Sequence, residues 1–203
     1  WYGGGAIALP LGSSQELLRI DGTHLASVMS KHGVQLLSLR VSSIGETRFN
    51  EIYCAHRSKA AVTESALEAH LRAVRDGVSD GDAVRVVCDR QGGRTHHSTM
   101  LARVWDGLDV AEESARASRY TRGDSLGITF TPKADDAYLP VALASMSAKL
   151  VRELAMMRIN RYWSGRVTEL KPTAGYVQDA RRWLEDVRPV MSETERTAMV
   201  RLA

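Results

Sequence analysis

The chain has little cysteine, no long apolar run and no strong charge of one sign, and each shortage removes a class of protein. Cys54 and Cys88 are the only two cysteines in 203 residues, too few for a disulfide framework or a metal knuckle. Both stand beside apolar residues and are expected to be buried thiols. No window approaches the ~20 apolar residues that a membrane span needs. The opening WYGGGAIALPLGSSQ lacks the basic region and apolar core of a signal peptide, so the expected setting is cytoplasmic, away from membranes. A formal charge of +3 and a pI near 9.0 are compatible with nucleic acid without demanding it. Internal repeats and low-complexity tracts are also missing.

What is present is an ordinary globular composition, 44% hydrophobic and 25% charged, in a length that suits one α/β domain. Gly3, Gly4 and Gly5 could form a phosphate nest, but no strand precedes them and no Lys-Ser/Thr follows, which favours a flexible or truncated start. A helix is expected from Asp21 or Thr23 to just before Gly33, then a strand over Val34 to Val41. Residues Arg48 to Val74 carry helical spacing with a break near His56 to Ser58. His56 and His70 lie about four turns apart, too far to share a metal.

Residues Ala83 to Cys88 form the clearest predicted strand, with Asp89 at its carboxyl end, where open α/β sheets place ligands. The following RQGGRT is either a plain strand-to-helix turn or an anion cradle reinforced by Arg90 and Arg94. It leads into a helix carrying Leu101, Val104 and Trp105. His96 and His97 are adjacent, and neighbouring side chains on a helix diverge, so contact with solvent or a nucleic-acid backbone is preferred over a shared metal. Ser118 to Ser125 is expected to be a hairpin or an exposed connection.

The segment from Ile128 to Trp163 organises the rest. A short strand over Ile128 to Phe130 gives way to a loop with Lys133, Asp135 and Asp136, and Pro140 opens a long helix. Leu143, Met146, Leu150, Leu154 and Met157 recur at helical spacing and are expected to pack, while Ser145, Lys149 and Arg152 share another face. From Lys149 to Arg166 five cations oppose Glu153 alone. Two further helices are expected, Val177 to Val187 with Trp183 and Leu184 facing the core, and one opened by a Ser192/Glu195 capping box. The alternation of strands and helices favours a central mixed sheet flanked by helices.

The run KADDAYLPVALASMSAKLVRELAM resembles the signature of the ribonuclease HII family, in which Lys-Ala-Asp leads into a helix bearing an Ala-Ser-x-x-Ala-Lys-x-x-Arg pattern. Ala144, Ser145, Met146, Ala148, Lys149, Arg152 and Glu153 carry the match. The strand-end acid in VRVVCDRQGGRTHH and Gly175-Tyr176 in TAGYVQDARRW agree in the same order. The resemblance covers about residues 34 to 187; residues 1–33 match poorly, and 164–203 form a C-terminal helical extension.

It implies a ribonuclease H-like α/β domain, a monomer, that cuts the RNA strand of RNA/DNA hybrids or ribonucleotide-containing duplexes with Mg²⁺ or Mn²⁺. Asp89 and Asp135, or Asp136 on a count back from Pro140, would hold metal. Ser145, Lys149 and Arg152 would meet phosphates, and Gly175-Tyr176 the ribonucleotide; Arg90 and Arg94, expected from their own loop to bind nucleic acid, lie in a stretch longer and more basic than the family's. Read without the resemblance, Asp135 and Asp136 are helix-capping acids, the cations a solvated face and Tyr176 a core residue. The family's first strand, Asp-Glu-Ala-Gly then Gly-Pro, is missing, and with it two of four carboxylates. The sequence is therefore either a fragment or a silent duplex-binding relative, and another nuclease of the same fold remains an alternative.

Overall fold

The computed structural model describes residues 1–3, 5–9, 11–79 and 81–202. Gly4, within the Gly3 to Gly5 run, lies outside the described residues. The chain divides into two compact units, Trp1–Arg40 with Leu150–Val190, and Val41–Lys149 with Met191–Ala203.

The second unit is mixed α/β. Helices α2 (Glu46–His56) and α3 (Lys59–Gly77) precede β1 (Val84–Asp89). The short α4 (Ser98–Leu101) then leads to the meander β2 (Asp109–Glu113), β3 (Ser118–Arg122) and β4 (Leu126–Thr131). The sheet order is β1-β4-β3-β2, with β1 parallel to β4 and the other pairs antiparallel. The break between α2 and α3 falls at Arg57, which adopts φ 51°, a conformation that stops a helix carrying a side chain.

Strand β4 alternates buried and half-buried residues along its length, the period-two pattern of a strand packed on one face. Leu126, Ile128 and Phe130 join Tyr120, Leu71, Met100, Leu101, Val104 and Trp105 in one core cluster. Parallel register pairs Asp89 with Thr131, so β1 and β4 end together. The C-terminal segment is tied to α2 by Asn50, whose amide donates to the Val200 carbonyl (2.9 Å) while its oxygen accepts from the Leu202 N–H (2.9 Å). The expected Ser192/Glu195 capping box opens α7 (Glu193–Met199).

In the first unit α1 spans Gln15–Lys31. It starts six residues before the expected Asp21 because the Ser14 hydroxyl accepts from Leu17 N–H (3.1 Å) and caps it there. It ends as expected: Gly33 takes φ 65°, Gly33 N–H donates to Ser30 and Val34 N–H to Met29, the paired bonds of a left-handed helix cap. Helix α5 (Leu139–Ser164) crosses from the second unit into the first and is followed by α6 (Val177–Val187). Ile159 and Trp163, one turn apart on α5, are buried, as are Trp183 and Val187 on α6. The Trp163 and Trp183 rings meet edge-to-face at 5.9 Å, a favoured aromatic geometry.

Four local expectations are corrected. Residues 34–41 are not a strand, and Leu37 is 85% exposed; β-branched and aliphatic content does not make a strand without a neighbour for its N–H and C=O groups. The apolar row of α5 is not a packed seam, since Met146, Leu150 and Met157 are exposed and the helix's buried residues sit at its far end. Cys54 is exposed. His97, expected at the surface, is buried against Phe130, their rings stacked at 3.8 Å. Among the described residues no helix is long and apolar enough to cross a membrane.

Candidate functional site

Asp89 closes β1, and one carboxylate oxygen accepts a hydrogen bond from the Ala134 N–H at 3.0 Å. The register that ends β1 beside β4 brings this about, because only Pro132 and Lys133 separate Thr131, the last residue of β4, from that N–H. Lys133 adopts the left-handed conformation, φ 54°, and Ala134 is wholly buried, so the turn aims its amide back at Asp89. Asp135 and Asp136 follow in a 3₁₀ turn, Ala134–Asp136, both exposed. The strand-end acid is thereby bonded to the backbone amide that immediately precedes the two loop acids.

Arg90 extends the pairing through its N–H to Thr131 (3.0 Å), while its guanidinium donates to the Ala115 and Ser114 carbonyls at 2.6 and 2.8 Å. It thus fixes the β2–β3 turn. Gln91 to Arg94 form a tight turn closed by Arg94 N–H on the Gln91 carbonyl (3.2 Å), with Gly92 and Gly93 at φ 58° and 76°, angles that side chains resist. Arg94 pairs with Glu64 of α3, and Arg103 bridges Glu64 (2.5 Å) and Glu68 (2.8 Å). Burial pushes the Glu64 carboxyl up, but the bonds from Arg103 and Arg94 together outweigh it and hold it below the usual range. Both arginines after β1 are therefore engaged within the protein.

On α5, Ser145 is half-buried and Lys149 exposed, and with Arg152 they occupy positions i, i+4 and i+7 of one helical face. In the first unit Arg152 donates to the Ala174 carbonyl and lies over the Tyr176 ring, 4.8 Å from its centroid. Tyr176 is 68% exposed, so it is no core tyrosine. Gly175 has φ 75°, and a Cβ there would meet the Met156 side chain at 3.2 Å.

Sequence reasoning missed what holds this loop. The Asn160 side chain brackets Thr173, its amide donating to the Thr173 carbonyl (2.8 Å) and its oxygen accepting from the Thr173 N–H (2.9 Å). Asp179 accepts from the Thr173 hydroxyl (2.7 Å), the Ala174 N–H (2.8 Å) and Arg182 (2.8 Å). Arg182 and these hydrogen bonds hold the Asp179 carboxyl well below its ordinary range, at about 2. The usable signal was an acid at the third position of a predicted helix, which reaches back over the preceding chain.

A second network surrounds β3. Tyr120 hydroxyl donates to Glu113 and accepts from His97 N–H (2.8 Å), and Glu113 also binds His96 Nδ1 at 2.5 Å. Burial, then the Glu113 carboxylate, push the Tyr120 phenol up to about 12.

Hard divalent ions take several carboxylate oxygens. Among the described residues no three His, Cys, Asp or Glu side chains gather to hold a metal ion. Asp89, Asp135 and Asp136 by themselves do not fit a closed two-ion centre. Comparison with protein-family models, curated proteins and solved structures finds no match to this chain.

Proposed function

We propose that the chain is part of a ribonuclease HII-type endonuclease acting on RNA/DNA hybrids or ribonucleotide-containing duplexes, with a ribonuclease H-like sheet at its centre. The observation that carries this reading is the hydrogen bond from Ala134 N–H to Asp89, which joins the two segments whose acids the resemblance pairs. The ion suited to those acids is Mg²⁺ or Mn²⁺. Strand β1 is at the edge of the sheet among the described residues, and a further strand laid along it would bring the missing carboxylates beside Asp89. Ser145 and Lys149 would meet the duplex backbone, and Tyr176 with Arg152 offers a stacking surface for a sugar or base.

A second reading is a duplex-binding module without cleavage, favoured by the incomplete donor set. One assay separates the two. A duplex with one embedded ribonucleotide is incubated with the protein with and without Mg²⁺ or Mn²⁺, beside Asp89→Asn and Asp135→Asn. The amide of Asp89→Asn keeps an acceptor for Ala134 N–H, so the variant retains the fold. Ion-dependent nicking lost in both variants supports the nuclease; binding with no nicking under either ion supports the module; nicking unchanged in both variants refutes the assignment of these acids.

A further inference from the structure

The part of α5 that lies in the first unit ends in a cluster of arginines and aromatic rings. Arg158, Arg161 and Tyr162 stand at i, i+3 and i+4, the spacings that set side chains beside one another on a helix. Arg158 donates to the Tyr2 carbonyl (2.6 Å), and Arg161 to the Gly5 and Ala6 carbonyls (3.4 and 3.2 Å). In each arginine one terminal nitrogen makes these bonds, whereas a guanidinium carries five N–H donors. Among the described residues neither arginine pairs with a carboxylate. A carbonyl accepts a hydrogen bond without cancelling the charge, so two positive charges one turn apart are left without a counter-ion from the chain.

The rings beside them are an independent observation. Tyr162 is 39% exposed and Tyr2 36%. The half-buried Trp1 meets both edge-to-face, its centroid 6.3 Å from each. Arg166 lies over Tyr162, 5.4 Å from its centroid, and over Trp163 at 4.7 Å. Rings that served packing alone would be enclosed, as Trp163 is; Tyr162 and Tyr2 instead keep much of their surface in water beside positive charge. Tyr162 follows Arg152 by ten residues, about 15 Å of helix, so the cluster is distinct from the Arg152–Tyr176 pair.

We propose that this cluster binds a single-stranded stretch of nucleic acid, with Tyr162 stacked on an unpaired base and Arg158 and Arg161 on the flanking phosphates. Charge complementarity selects a polyanion. Exposed rings select unpaired bases, because every base has a face for stacking and in a duplex those faces are already covered by neighbouring bases. The inference adds a partner to the duplex of the nuclease reading and uses none of the acids or ions of that reading, so either can fail alone.

The test is fluorescence anisotropy of the full chain without divalent ion, using labelled oligo(dT), oligo(U) and a blunt duplex. At least one of the two single strands should bind, and polyglutamate or phosphatidylserine vesicles of equal total charge should displace it less well than the same strand unlabelled. Tyr162→Leu should weaken single-strand binding at least roughly fivefold, Tyr162→Phe should restore it, and neither should change binding of the duplex. Arg161→Gln, at an exposed position, should lower the slope of log affinity against log salt by about 0.7, and it carries the test if Tyr162→Leu unfolds by circular dichroism. Failure of both strands to bind, equal displacement by polyglutamate or vesicles, or single-strand binding unchanged in folded Tyr162→Leu or in Arg161→Gln would overturn the proposal.

Discussion

Gly175→Ala offers the sharpest test of the loop that presents Tyr176. Gly175 holds φ 75°, and placing a Cβ in the left-handed region costs about 1–2 kcal/mol. The added methyl would approach the Met156 thioether at 3.2 Å, a flexible neighbour that can yield for a few tenths of a kcal/mol. Alanine also restricts the unfolded chain, a stabilising contribution of about 0.4–1 kcal/mol. Gly165→Ala provides the control for that contribution, because Gly165 lies outside the left-handed region and a Cβ there finds only ordinary contacts, 3.5 Å to the Tyr162 carbonyl. The difference between the two variants should therefore be about 1–2 kcal/mol, with Gly175→Ala the less stable. Urea unfolding followed by tryptophan fluorescence reads this directly, since Trp163 and Trp183 lie in the same unit. Equal midpoints for the two variants would refute the claim that the loop is held in this conformation.

Two other outcomes follow from the titratable groups. Burial pushes the Cys88 thiol up to about 12 and Cys54 is exposed, so a chromogenic thiol reagent at pH 8 should label one cysteine in the native protein and both in denaturant. Asp179 has its carboxyl lowered from 3.8 to about 2; a lowered acid stabilises the fold fully above its unfolded value, and that contribution is lost as pH falls from 3.8 through about 2. Acid titration followed at the Ala174 amide resonance should show the loop intact at pH 5 and released near pH 2, and Asp179→Asn should remove the transition.

Local chemistry made several elements legible. The Arg57 break between α2 and α3, the α6 boundaries, the capping box and the left-handed end of α1 depend on residues within a turn or two of one another. The candidate site was legible in part for the same reason, since Asp89 ends a strand whose pattern is unambiguous and Lys133 to Pro140 announces a strand-to-helix turn. The failures share a different cause. Val34 to Val41 has the composition of a strand but lacks a pairing neighbour, and the α5 row has helical spacing but is left exposed over much of its length. His97, Asn160 and Asp179 acquire their roles from segments 13 to 33 residues away or from the far side of a loop, a separation that no short window spans.

The sequence by itself determined certain breaks and caps, at Gly33, at Arg57 and at the Ser192/Glu195 box, because caps and left-handed residues act through neighbours in the chain. Tertiary structure alone decided that β1 lies parallel to β4 and so delivers the Ala134 amide to Asp89. It alone also decided that the His97 ring is enclosed against Phe130. Both outcomes require remote segments to meet, and the free energy that chooses among such meetings belongs to the packed whole.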